Sequence, residues 1–264
     1  MMTTRSPATL AAAKRAGEKL TALTAYDYPL GRLLDEAGID VILVGDSLGM
    51  VVLGYPDTIA VTVDDIVHHT RAVARGVHRA LLVADLPARS YETPAAALEN
   101  ARRLIAAGAQ AVKLEGGASQ RAQIATLVAA GIPVMGHIGM LPQHVREEGG
   151  YKIKGRSDAE IDALIADGRA VEEAGAFAVV LEIVTPEAAR RVTAALAIPT
   201  IGIGSGDGCD GQILVTHDLL GLFPWFAPKF VTPQAQLAGA IREAVARYIQ
   251  ETKSNAVDPA PGSP

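Results

Sequence analysis

The sequence has a single cysteine, Cys209, so an internal disulfide is excluded. That scarcity suits a reducing compartment, and a cytoplasmic location is expected. There is no uncharged apolar run of about 18 residues, so no membrane helix is predicted. The N-terminal stretch lacks the apolar centre of a signal peptide, because Lys14, Arg15 and Lys19 interrupt a short alanine-rich run. No basic stripe is present and the formal net charge is −5, which argues against nucleic acid as the main partner. What the chain does have is apolar content: 49% of its 264 residues, enough for a folded globule with a large core. That length admits two small domains, but it also matches one α/β barrel of roughly 250 residues.

The stretch from Val41 to Met50, VILVGDSLGM, sets the pattern. Four apolar residues run directly into Gly45, Asp46 and Ser47, as in a strand buried on both faces. The unit of helix, glycine, strand and polar residue then recurs. Gly76 leads through RALLVA to Asp85, Gly108 through AQAVKL to Glu115, and Gly131 through IPVMG to His137. Gly175 leads through AFAVVL to Glu182, and Pro199 through TIGIG to Ser205. Strands are expected at Lys19, Val41, Leu81, Ala111, Val134, Val179 and Thr200, with an eighth at Lys229 to Val231. Helices are expected at Pro29–Ala37, at Ala95–Ala107 and after Ser157, where Glu160 completes a capping-box pattern. Alternating strands and helices imply a parallel sheet with right-handed crossovers. Eight such units favour a single closed (β/α)8 TIM barrel, with an open doubly wound sheet as the alternative. The expected organisation is a lead-in over residues 1–18, the barrel over 19–250 and a disordered polar tail over 251–264, with no second domain. Two long connections, Gly49–Thr62 and Gly139–Arg156, fall after the second and fifth strands and suit lids or substrate walls.

Polar residues ending successive strands would meet in a ring in a barrel. Three of them, Asp46, Asp85 and Glu115, would repel one another without a cation. An all-oxygen ligand set favours Mg²⁺ over Zn²⁺, whereas the plainer reading makes each acid a helix cap. Lys113 shares a strand face with Glu115 and could meet a substrate carboxylate, form a Schiff base after a pKa drop, or simply pair with an acid. Glu182 leaves an apolar strand and could serve as a general base or form a salt bridge to an arginine. His137 could be an acid or base, a metal ligand, or a hydrogen-bonded core histidine. The glycines of IGIGSGDG, Ile201–Gly208, suggest a weak anion-facing loop.

Several long motifs resemble the ketopantoate hydroxymethyltransferase family: VGDSLGMVVLGY (44–55), VTVDDIVHHTRAV (61–73), VADLP (83–87), AVKLEGG (111–117), GHIGMLPQ (136–143), GGYKIKGR (149–156), and IGIGSG with DGQILV (201–215). The resemblance runs from about Leu20 to Val231. It implies a barrel of the phosphoenolpyruvate/pyruvate-type superfamily. The implied reaction carries a hydroxymethyl group from 5,10-methylenetetrahydrofolate to 3-methyl-2-oxobutanoate, giving 2-dehydropantoate through a Mg²⁺-stabilised enolate at the start of pantothenate biosynthesis. By the family pattern, Asp46, Asp85 and Glu115 fall at the magnesium site. Asp46, Ser47, Asp85 and Lys113 fall at the keto-acid site, and Glu182 at the proton acceptor. The family also implies self-association as a homo-oligomer, typically a decamer. The sequence departs from the pattern at Ala88-Arg89, Ile59-Ala60, Lys154 and after Val231, and none of these removes a carboxylate of the site. Two rivals are a magnesium-dependent C–C lyase acting on a 2-oxo acid and a catalytically idle barrel serving as an assembly subunit.

Overall fold

The computed structural model describes residues 4–226 and 228–254. Its centre is a closed barrel of parallel strands in sequence order: β1 Leu20–Thr24, β2 Val41–Val44, β3 Leu81–Asp85, β4 Ala111–Lys113, β5 Val134–Gly139, β6 Ala178–Glu182, β7 Thr200–Ile203 and β8 Gly211–Leu214. The barrel closes where β1 pairs with β8, Leu20 opposite Gly211 and Ala22 opposite Ile213. The open-sheet alternative is thereby excluded.

Helices α1 Pro7–Ala16, α2 Tyr28–Ala37, α3 Leu48–Val51, α4 Val63–Ala74, α5 Pro94–Ala106, α6 Arg121–Ala129, α7 Asp158–Glu173 and α8 Pro186–Ala195 accompany the strands. Their starts follow local chemistry. Side chains of Ser6, Asp27, Thr62, Thr93, Ser157 and Thr185 each accept a backbone N–H in the first turn. Gly38 ends α2 in the left-handed conformation.

Burial on both faces explains the unbroken apolar runs. Val41 and Leu43 of β2 join Leu81, Val83, Met135, Val180 and Ile213 inside the barrel, while Ile42 and Val44 join the layer between strands and helices. Leu10 and Ala13 of α1 belong to the interior cluster with Leu20, Val41 and Leu81, which begin their strands. The expected lead-in is therefore a helix packed on the floor of the barrel, which leaves the C-terminal strand ends as the face for a site.

Three expectations are corrected. The eighth strand is Gly211–Leu214, and Lys229–Val231 is not a strand. The barrel does not extend to residue 250: its last strand ends at Leu214, and the chain divides into two compact units after Val215. The second unit contains α9 Thr216–Leu219 and α10 Leu237–Ser254, so residues 251–254 are helical. The rest of the expected tail, 255–264, lies outside the described residues. Among the described residues, no helix is long and apolar enough to cross a membrane.

Candidate active site

Parallel pairing brings the polar strand ends together. Asp46 follows β2, Asp85 ends β3, Glu115 follows β4, His137 lies in β5 and Glu182 ends β6. The first four are buried, and the Glu182 side chain is 15% exposed, open to the mouth. None of the three acids Asp46, Asp85 and Glu115 caps the helix that follows it, so the capping reading fails. Asp46 and Asp85 are instead joined: the Asp46 N–H donates to Asp85 Oδ2 at 3.0 Å. A Cβ on Gly45 would lie 3.0 Å from Ser47 Oγ and 3.3 Å from that same Oδ2, so a side chain there would crowd both groups. Ser47 stands apart from the acids in its bonding, its hydroxyl lying 2.8 Å from the Tyr26 phenol.

Lys113 Nζ donates to Asp85 Oδ1 at 2.6 Å. Burial works against its ammonium, but the charges of Asp85, Glu115 and Asp46 outweigh that and hold its pKa above the ordinary value. A lysine kept protonated is not poised to form a Schiff base. His137 lies between two acids, Nδ1 at 3.5 Å from Glu115 Oε1 and Nε2 at 3.3 Å from Glu182 Oε2. The spacing suits ion pairing, but neither ring nitrogen makes a well-formed hydrogen bond. Burial disfavours the imidazolium, yet the two carboxylates push its pKa up to about 9. His137 is thus a cation at neutral pH rather than a free base or a neutral core histidine. Glu115 is held below its ordinary value, because His137, Lys113 and the Gln143 N–H outweigh its burial. Asp46 goes the other way: burial first, then the charges of Asp85 and Glu115, raise it well above the usual carboxylate range. No arginine pairs with Glu182 among the described residues.

Gln143 was singled out by no spacing argument, yet it links the acids. Its Nε2 donates to Asp46 Oδ2 at 2.9 Å and to Leu86 O at 3.1 Å, and its backbone N–H donates to Glu115 Oε2 at 3.1 Å. The Tyr91 hydroxyl donates to Gln143 Oε1, which fixes the amide so that its NH2 faces Asp46. The two long connections are tied together as well, with Arg146 Nε donating to Asp57 Oδ2 at 2.6 Å. Of the departures noted above, Lys154 pairs with Glu148 and Arg89 adopts a left-handed φ of 65°. Among the described residues, no three His, Cys, Asp or Glu side chains converge into a ready-made metal cage.

Solved structures with this architecture include a phosphonopyruvate hydrolase in complex with oxalate and Mg²⁺ (TM-score 0.67, 19% identity, 98% of this chain and 92% of that one). Another is 2,3-dimethylmalate lyase, a PEP mutase/isocitrate lyase superfamily member (TM-score 0.59, 18% identity, 98% and 91%). At such identities the likeness establishes the fold. Sequence similarity goes further. A 3-methyl-2-oxobutanoate hydroxymethyltransferase from Moorella thermoacetica is 55% identical over 246 residues, covering 92% of this chain and 91% of the relative. The family model described as ketopantoate hydroxymethyltransferase matches residues 5–258. The chain therefore belongs to the ketopantoate hydroxymethyltransferase family.

Proposed function

We propose that this protein transfers a hydroxymethyl group from 5,10-methylenetetrahydrofolate to 3-methyl-2-oxobutanoate, forming 2-dehydropantoate at the first step of pantothenate biosynthesis. One observation carries the reading: Asp46, the Lys113–Asp85 pair and the Glu115–His137–Glu182 row stand together at the mouth of the barrel.

A divalent cation fits this site chemically. The acids Asp46, Asp85, Glu115 and Glu182 outnumber the bases Lys113 and His137, and a cation would favour the ionised form of Asp46, which burial first and then Asp85 and Glu115 oppose. Mg²⁺ commonly uses one or two protein carboxylates and completes its shell with water and substrate oxygens, so a three-acid cage is not required. Asp46 and Asp85 would hold the ion directly. Glu115, whose oxygens meet the Gln143 N–H and His137, would hold it through water. When bound, Mg²⁺ supplies Lewis-acid stabilisation of the charge that develops on the keto oxygen.

The chain's own groups do the rest. Lys113 would keep a fixed positive charge beside the oxygens of the keto acid, and Ser47, next to Asp46 in the chain, would offer them its hydroxyl. Glu182 takes the proton from C3, and the imidazolium of His137 at 3.3 Å holds its carboxylate in place. The methylene carbon then exchanges its two folate C–N bonds for a C–C bond to C3 and a C–O bond to water, and the proton taken from C3 and one proton of that water end on the two freed folate nitrogens. We further propose a cytoplasmic homo-oligomer, a decamer by family resemblance, with small-molecule substrates and without nucleic-acid or membrane partners.

The test mixes protein, Mg²⁺, 3-methyl-2-oxobutanoate and methylenetetrahydrofolate carrying a labelled methylene carbon. Label in 2-dehydropantoate is the expected result. Cleavage of a 2-oxo acid without uptake of label would replace this reading with the lyase.

A further inference from the structure

Among the described residues, two that are not glycine have a positive φ, Arg89 at 65° and Ile183 at 48°. Ile183 directly follows Glu182. A β-branched residue in the left-handed region is strained, because its Cβ crowds the backbone carbonyl, and such strain persists only where the surroundings over-determine the turn.

The surroundings are visible atom by atom. The Glu182 carbonyl accepts the Met140 N–H at 2.8 Å, the Ile183 N–H donates to Ile203 O at 2.9 Å, and Ile183 O accepts the Lys154 N–H at 3.0 Å. The side chain that spans the turn is Ser205, fully buried in the connection between β7 and β8. Its hydroxyl donates to Leu181 O at 2.8 Å and accepts the Val184 N–H at 3.2 Å. The two atoms it joins lie on either side of Glu182 and Ile183. Ile203 O is also within 3.1 Å of that hydroxyl, and the single hydroxyl proton is assigned to the shorter contact with Leu181 O.

We infer that Ser205 is a positioning residue for Glu182, clamping the strained Ile183 turn so that the carboxylate stays directed at the substrate. The inference rests on the proposed role of Glu182 as the base. If the clamp is removed, Ile183 relaxes towards extended backbone and carries Glu182 with it. If the strain is removed as well, the turn no longer needs the clamp, since glycine adopts the left-handed conformation freely. A merely structural serine would show no such rescue.

The experiment measures exchange of the C3 hydrogen of 3-methyl-2-oxobutanoate with deuterated water, on the full chain with Mg²⁺ and without folate. It compares wild type, E182Q, S205A, I183G and the S205A/I183G double variant. S205A is expected to slow exchange roughly tenfold to hundredfold, the scale of a misplaced catalytic group, while keto-acid binding by titration stays close to wild type. The double variant is expected to recover most of that loss, measured against I183G alone. S205A exchanging at the wild-type rate, or a double variant no faster than S205A, overturns the inference. E182Q separates the two levels: wild-type exchange in E182Q removes the base assignment and the clamp with it, whereas slow E182Q beside fast S205A removes only the clamp. Should S205A not fold, S205C keeps the volume with a weaker and longer donor, and its exchange rate should lie below wild type; an unchanged rate there also overturns the clamp.

Discussion

Glu182 Oε2 and His137 Nε2 stand 3.3 Å apart, and each residue makes its own prediction. Glu182→Gln keeps shape and hydrogen-bonding reach but removes the basic oxygen. The rate should fall by about 10² to 10⁴, the usual worth of a general base, with kcat falling more than KM changes. Keto-acid binding should survive, because the Lys113–Asp85 pair is untouched. A variant that still exchanges C3 hydrogen at the wild-type rate but makes no product would move Glu182 to the folate side. His137 gives a pH signature in the metal-free protein. Its folded pKa of about 9 lies above the ordinary 6.5, so its contribution to stability is complete below pH 6.5 and is lost as pH rises through 9. Urea unfolding across that window should show the decline in wild type and not in His137→Asn; equal slopes in both would refute the imidazolium. Asp46 has the opposite consequence, since its ionisation is opposed by burial and by Asp85 and Glu115. Asp46→Asn should leave metal-free stability unchanged or higher while weakening Mg²⁺ binding roughly tenfold or more. Wild-type Mg²⁺ affinity in both Asp46→Asn and Asp85→Asn would dismiss the metal assignment.

At the level of elements, the junction of β5 and β6 is the most constrained. Gly139 pairs with Glu182 in the sheet. It has φ 98°, and an added Cβ would lie 2.5 Å from the Glu182 carbonyl oxygen. Gly139→Ala should therefore cost about 1–3 kcal/mol of stability and depress the rate as well, because the obstruction falls on the backbone of the proposed base. Calorimetry beside the exchange assay would read both, and a stable, fully active variant would refute the constraint. Much of this architecture was legible beforehand. The doubly buried β2 and β3 announce themselves as unbroken apolar runs, and Asp85 and Glu182 do end strands as the repeating unit implied. The element missed was β8. It is short, begins with a glycine whose Cβ would lie 2.6 Å from Leu20 O, and carries an exposed Gln212, so it resembles a loop. Its partner β1 is distant in sequence, and no helix separates it from β7. Gln143 and Tyr91 were missed for a different reason. A loop amide and a phenol have no periodicity, and their role exists only once β3, β4 and the β5 loop are assembled. The Ile183 turn was equally hidden, because an isoleucine after AVVLE reads as one more strand residue.

For the whole molecule, the open question is what covers α10. It runs from Leu237 to Ser254 and has no buried residue. Ile241, Val245 and Tyr248 recur at helical spacing on one face and are all exposed, Tyr248 by 68%. Most helical stability in proteins comes from packing an amphipathic face, and an isolated helix of this length is marginal in water. Such a stripe therefore implies a covering surface. The homo-oligomer proposed above would supply one, and the occupant we assign is another copy of this chain. The protein should sediment at micromolar concentration as a homo-oligomer larger than a dimer. Replacing Ile241 and Val245 together with glutamate should shift it to smaller species, since a buried charge without a partner opposes association. The strands lie within residues 20–214, so the variant's far-ultraviolet circular dichroism should keep the barrel's signal while its sedimentation coefficient falls. A wild-type protein that runs as a monodisperse monomer would reject the assembly. A glutamate variant that assembles like wild type would keep the oligomer and remove α10 from its interface.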